Sequence, residues 1–263
     1  MLKYEIQQQD HQLPDGRKVN RIKALRDFGN VKEGTLGGFV EDDDNLSHDG
    51  LCWIADDAMA LGRSRVTRDA QLRDRARLCD WAVITDRCVV CDDAQLWDSV
   101  FAYDDTVIGA KSVLTDAVTV YGNAVIRCQS RYSISGKTRI PNLRGQAIIR
   151  DDARLEGRIS VQDNVIVGDH AIVRGHVRLL GKARIGGNAI IEGGTTIGEE
   201  AMILHNARIG ERTKIFGCAL VLGEVVILGK SFLTCHVRIC GRGTLRNVSL
   251  SGDDFRRLEN SAH

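Results

Sequence analysis

Aliphatic residues recur every six positions along this chain, and a small residue stands two places before each. From Cys52 the small positions run through Ala58, Ser64, Ala70, Ala76, Ala82, Cys88 and onward to Ala124 without a break. Their aliphatic followers run through Ile54, Ala60, Val66, Leu72, Leu78, Ile84 and onward to Ile126. A second array keeps the same period from Ala147 to Ile239, most regularly at Ile185, Ile191, Ile197, Ile203, Ile209 and Ile215. A helix does not fit, because a period of six carries the apolar residue around a 3.6-residue turn and leaves no stripe. A short strand does fit: positions i and i+2 share one face, and the remaining residues turn a corner. Such segments coil into a prism whose successive coils lie about 4.8 Å apart. Burying each large aliphatic contributes roughly 1.5–3 kcal/mol against the cost of ordering its segment. No coil is stable alone, so stacking is obligatory.

The unit recurring as IGGNAI, IGEEAM and IGERTK resembles the repeat of the bacterial hexapeptide-repeat transferases. That resemblance implies an all-β fold, a single-stranded left-handed parallel β-helix with three hexads per coil, over residues 46–250. The handedness rests on the resemblance alone, since chain-crossover rules favour right-handed connections. Between the arrays, Arg127 to Gln146 breaks phase, although Tyr132/Ile134 and Thr138/Ile140 still look like hexads. Corner insertions are expected there, with Pro141 to Gly145 as the protruding loop; two separate helices are the alternative.

Residues 1–45 read differently. YEIQQQ and RKVNRIKAL flank Asp15-Gly16 and predict a β-hairpin that covers the open first coil. The stretch IKALRDFGNVKEGTLGGFV resembles the start of an enterobacterial acyltransferase group within the same superfamily. At the other end, Ser251 and Asp254 stand in capping-box positions before Phe255 and Leu258, predicting a short helix within 251–263.

Composition adds three constraints. Hydrophobic residues make up 43% and aromatics 5%, so the core must be aliphatic. The 27 glycines argue for many tight bends. A net charge of +1 gives no bulk attraction to nucleic acid, and no apolar run is long enough to span a membrane. MLKYEIQQQD lacks the apolar core of a signal peptide, so a cytoplasmic protein with reduced thiols is expected. The eight cysteines offer no ligand set for zinc, and Cys52 and Cys88, in inward small slots, are expected to be inert core.

With three hexads per coil, residues eighteen apart stack, and the corners become columns. One column carries Asp151-Asp152, Asp169-His170, Gly187-Asn188, His205-Asn206 and Gly223-Glu224. Here His205 lies between two glycines, and His170 stacks over Asp152. The string ILHNARIG resembles the surroundings of the catalytic histidine in some sugar-nucleotide acyltransferases of the superfamily. The resemblance implies a homotrimer with acyl-CoA, most simply acetyl-CoA, between prisms, and a histidine that deprotonates the hydroxyl or amine of a small-molecule acceptor. On that reading His205, His170 and Asp152 are the catalytic candidates, since imidazole titrates near neutrality. A second column carries Gly157-Arg158, Gly175-His176, Gly193-Gly194, Glu211-Arg212 and Gly229-Lys230. Its Gly157 and Gly175 would admit a ligand to the backbone, and Arg158, Arg212 and Lys230 would meet phosphates; Glu211 weakens that case.

Plainer readings stand beside these. A corner histidine is commonly a solvated turn residue, and a basic column can serve solubility. In the first array, Asp57, Arg75, Asp93 and Lys111, and likewise Asp69, Arg87 and Asp105, read as charge ladders between coils. A non-catalytic scaffold or binding module is therefore the rival function. A metal site like that of γ-class carbonic anhydrases is disfavoured and no metal is expected: His170 and His205 lie two coils apart, about 9.6 Å, too far to share an ion. Trp53, Trp81 and Trp97 lie outside the inward slots, over an insertion or at a subunit interface.

Overall fold

A computed structural model describes residues 2–130 and 140–259. Two-residue strands alternate with tight corners, and the chain winds into a single-stranded parallel β-solenoid of about 12 turns. Each strand pairs with the strand one coil on: Val89 with Val107 and Val90 with Ile108 in the first array, Ile190 with Arg208 and Ile191 with Ile209 in the second. The inward slots read from the sequence are buried along both arrays, Cys52 to Ile239. Several hydroxyls in small slots turn back to the corner, as Thr213 Oγ1 donates to the Gly210 carbonyl at 2.8 Å and Ser112 Oγ to that of Gly109 at 2.6 Å, whereas those of Ser64 and Thr106 are buried without a partner among the described residues.

The corners explain why aspartate is so frequent. The first corner residue adopts a left-handed backbone, with φ of 61° at Asp74, 58° at Asp92 and 54° at Asp169. That conformation costs a side chain about 1–2 kcal/mol, least for Asn and Asp. Aspartate offsets the cost by accepting the N–H of the corner above: Asp74 Oδ2 from Asp92 at 2.9 Å, Asp92 Oδ2 from Ala110 at 2.6 Å. Outside this column run the expected charge ladders, with Arg75 on Asp93 at 2.8 Å and Arg87 on Asp105 at 2.5 Å.

The two arrays are one prism. Across the break, Thr119 pairs with Ile148 and Val125 with Arg154, so the register changes without interrupting the ladder. The expected protruding loop at Pro141 to Gly145 is corrected: Leu143 is fully buried and bridges Leu114 to Val161. Asn142 makes that re-entry possible. Its Oδ1 accepts from the Val113 N–H at 3.0 Å and its Nδ2 donates to the Ile159 carbonyl at 3.1 Å, standing in for a missing stretch of ladder. Ile140 is exposed and fills no inward slot. Tyr132, Ile134 and Thr138 lie outside the described residues.

An N-terminal β-hairpin forms about the expected turn at Asp15-Gly16. Strand β1 (Tyr4–Gln12) pairs antiparallel with β2 (Lys18–Ala24), and Gly16 takes φ of 89° in the turn. Strand β3 (Leu36–Val40) pairs with β2 on one side and parallel to Met59-Ala60 of the prism on the other. The hairpin thus extends one face of the solenoid. Its tip, through Leu13 and Val19, packs on Leu61, Cys79 and Trp97, while Phe28 packs edge-on against Trp53 at 5.4 Å. Two of the unplaced tryptophans therefore seat the N-terminal segment. Trp81 remains exposed, with the Arg63 guanidinium 4.6 Å above its ring.

The seam between β3 and the prism is tight at Gly37. A Cβ there would stand 2.5 Å from Trp53 Cζ2 and 2.6 Å from the Ile54 carbonyl oxygen. Gly37→Ala is expected to destabilise the protein by roughly 1–3 kcal/mol through overpacking, read as a lower denaturant midpoint.

The C-terminal expectation is corrected. Phe255–Leu258 is a strand, pairing parallel with Arg238–Gly241, where a helix had been predicted. The open edge of the last coil supplies hydrogen bonds that a short isolated helix lacks. Residues 260–263 lie outside the described residues.

Candidate functional site

The first corner column stacks as the eighteen-residue spacing demands. The Asn188 N–H donates to the His205 carbonyl at 2.6 Å, and the Asn206 N–H to that of Gly223 at 3.0 Å. His205 itself sits at φ of 61°, in the position other corners give to aspartate. Its Nδ1 accepts from the Gly223 N–H at 3.2 Å, the same contact Asp169 makes with Gly187 at 2.6 Å. An imidazole that accepts at Nδ1 carries its neutral-state proton on Nε2. That leaves His205 no free lone pair in this arrangement. The flanking glycines expected to open access instead bring a backbone donor onto the ring.

His170 has the opposite polarity. Its Nδ1 lies 3.1 Å from Asp152 Oδ2, and Asp152 Oδ1 accepts from Asn123 Nδ2 at 2.9 Å. A carboxylate only accepts, so Nδ1 carries the proton and the Nε2 lone pair faces outward. Asn123, Asp152 and His170 come from consecutive coils and form a relay in which one end fixes the carboxylate and the other orients the ring. The structure thus brings Asp152 and His170 together and leaves His205 with a backbone partner. Asn123 was missed because its distance to Asp152, 29 residues, spans the break in register.

The second corner column lines a groove. One cavity of about 690 Å³ is bordered by Arg158, His176, Arg178, Asn142 and Thr196. The adjoining one, of about 760 Å³, shares His176 and Gly194 with it and is bordered by Arg212 and Lys230. Arg158 Nη1 donates to His176 Nε2 at 3.3 Å. Among the described residues, the side chains of Arg178, Arg212 and Lys230 have no ion-pair partner. Glu211, the residue that weakened this column, is engaged by Arg246 at 2.9 Å. Gly157 and Gly175 pair with each other within the long strands Arg154–Val161 and Ile172–Leu179 and do not line the groove; Gly194 does. Four cationic side chains line the groove, three of them without an ion-pair partner among the described residues, and give it local positive charge.

The face joining the two corners is also ordered. Glu192 accepts from Arg208 at 2.7 Å and from Arg174 at 2.6 Å, and those hydrogen bonds, Arg208's first, hold its carboxyl below the usual range. Ile172 and Ile190 lie half-buried beside this cluster. His170 and His176 are six residues apart, at most about 20 Å along extended chain.

Other candidates recede. Cys88 and Cys91 have a C-x-x-C spacing but form no disulfide; Cys88 fills an inward slot where burial pushes its thiol up to about 12. Asp74, Cys91 and Asp92 cluster, yet both carboxylates already accept corner N–H groups. No helix among the described residues is long and apolar enough to cross a membrane. No family model matches the chain and no curated protein matches it, so the functional reading rests on the relay, the groove and the repeat.

Proposed function

We propose that this protein is an acyltransferase that takes an acyl group, acetyl in the simplest case, from acyl-CoA to a hydroxyl or amine of a small acceptor. The observation that carries the reading is the groove of two adjoining cavities, one bordered by Arg158 and Arg178 and the other by Arg212 and Lys230. Coenzyme A is an extended molecule with phosphates at one end and the thioester at the other. Phosphates held in the groove leave the arm to run along the face with Ile172 and Ile190 towards the His170 corner. There the Nε2 lone pair of His170 takes the proton from the acceptor as it attacks the thioester carbonyl, and Asp152 stabilises the imidazolium. The resemblance of the repeat to left-handed hexapeptide-repeat transferases supports the same chemistry. It also supports a homotrimer in which a neighbouring prism closes over the groove.

Calorimetry with coenzyme A tests the groove. The wild type is expected to bind, and Arg212→Ala with Lys230→Ala to weaken binding at least about tenfold, as lost charge-assisted hydrogen bonds of about 1.5–3 kcal/mol imply. Weaker binding of dephospho-coenzyme A, which differs from coenzyme A by one phosphate alone, assigns that share of the affinity to a phosphate. A second reading, a rigid binding module without catalysis, is favoured by one observation: His205 and His170 both also serve as contacts between coils. Absence of binding at millimolar coenzyme A would select it.

A further inference from the structure

The lowest coil holds a buried lysine that the proposed catalysis does not use. Lys3 is fully buried. Its Nζ donates to the Cys52 carbonyl at 2.9 Å and to the Asp49 carbonyl at 3.4 Å, and it lies 3.2 Å from Cys52 Sγ. The Phe28 ring lies 5.3 Å away on another side. Among the described residues no carboxylate is within ion-pair reach of this amine. Burying an amine without a counter-charge is costly, and its two carbonyl acceptors supply no charge to balance it. Cys52, for its part, occupies the first inward small slot of the prism, where Ala58, Ala70 and Ala76 suffice in the slots above. An amine and a thiol therefore meet inside the first coil.

We infer that Lys3 and Cys52 form a redox-sensitive covalent clasp, a lysine–cysteine bridge through one oxygen atom, when the protein meets a peroxide. The balance is closed by two molecules of hydrogen peroxide. The first oxidises the thiol: an S–O bond forms, the peroxide O–O bond breaks, and water leaves, giving the sulfenic acid. The second accepts the two electrons released as the sulfenic oxygen bonds to Nζ. The hydroxyl proton and one amine proton leave, and two further waters form. The product is Cys52–S–O–NH–Lys3, and any extra proton on the ammonium passes to solvent. Contact at 3.2 Å leaves a gap that a single oxygen spans, whereas a second cysteine for a disulfide is not at hand.

Burial holds the Cys52 thiol above its ordinary range, with Lys3 working against that shift. Oxidation therefore proceeds through local opening of the segment around Leu2, itself 59% exposed, and not through a standing thiolate. Four thiol equivalents, leaving as two disulfides, cleave both the S–O and the N–O bond, release the bridging oxygen as water and restore both side chains. The clasp ties residue 3 to the first coil and locks the start of β1 under oxidising conditions. It stands independently of acyl transfer.

The test is peptide mass spectrometry of the full chain after peroxide. The expected result is a pair of tryptic segments joined through Lys3 and Cys52, uncut after Lys3. Its mass is about 14 Da above the sum of the two peptides, one oxygen gained and two hydrogens lost. Dithiothreitol is expected to release it, which a methyl group of the same mass would not allow. Cys52→Ala keeps the slot filled as in neighbouring coils, and with Lys3→Met it is expected to abolish the joined species. Cys52 left unmodified, or carried to an unlinked sulfinic acid while the exposed Cys218 and Cys235 oxidise, would overturn the inference.

Discussion

Acyl transfer by His170→Ala is expected to fall by roughly 10²–10⁴-fold in kcat, the range a positioned general base contributes. His205→Asn is expected to retain turnover within a few fold. The two histidines occupy the same corner column and are indistinguishable by exposure or spacing. They differ in what meets Nδ1. At His170 it is a carboxylate, at 3.1 Å, which fixes the proton there and frees Nε2. At His205 it is a backbone N–H, at 3.2 Å, which demands the lone pair there and places the proton on Nε2. Asparagine at 205 tolerates the left-handed backbone and keeps an acceptor for Gly223, so the corner survives. Asp152→Asn is expected to cost nearly as much as removing His170, because an amide beside Nδ1 no longer selects the proton position. Steady-state rates with a panel of acceptors read this directly. Equal turnover of His170→Ala and wild type, with loss in His205→Asn, would reverse the assignment.

The largest effect on stability is expected from Ile203→Asp. Ile203 is fully buried between Ile185 of the coil before and Val221 of the coil after. A carboxylate there meets only aliphatic neighbours and must either stay charged without a partner or be protonated. Costs of about 3–5 kcal/mol follow for an uncompensated buried charge, a large share of a marginal native stability. Ile185 below and Val221 above each lose one stacking partner, so the damage reaches the neighbouring coils as nearest-neighbour terms. Met202, next in sequence on the same strand, is only half-buried. Met202→Asp is expected to cost under about 1 kcal/mol. Denaturant unfolding of the two variants measures the contrast. Similar midpoints would mean that the inward alternation carries little of the stability.

The architecture was legible because it repeats. Any hexad could be read against its neighbours, and errors in one slot did not propagate to the next. The legibility failed where the period failed. Asn142 repairs the ladder from a stretch that had looked like a loop, since a side chain replacing backbone hydrogen bonds leaves no periodic signal. Asn123 was hidden for the same reason. A capping pattern over a few residues predicts a terminal helix, and the open edge of the last coil outweighs it. The candidate site was half visible: Arg158, Arg212 and Lys230 fell into one column by arithmetic, and the groove they share with His176 and Arg178 did not.

The amino-acid sequence alone determined the stacked coils, the inward faces and the corner columns, because a period of six constrains every residue locally and identically. Only the tertiary structure decided which histidine exposes a lone pair, which cations lack partners, and that Lys3 reaches Cys52. Those facts depend on hydrogen atoms and side-chain ends meeting across coils, where Lys3 and Cys52, 49 residues apart in sequence, come to 3.2 Å.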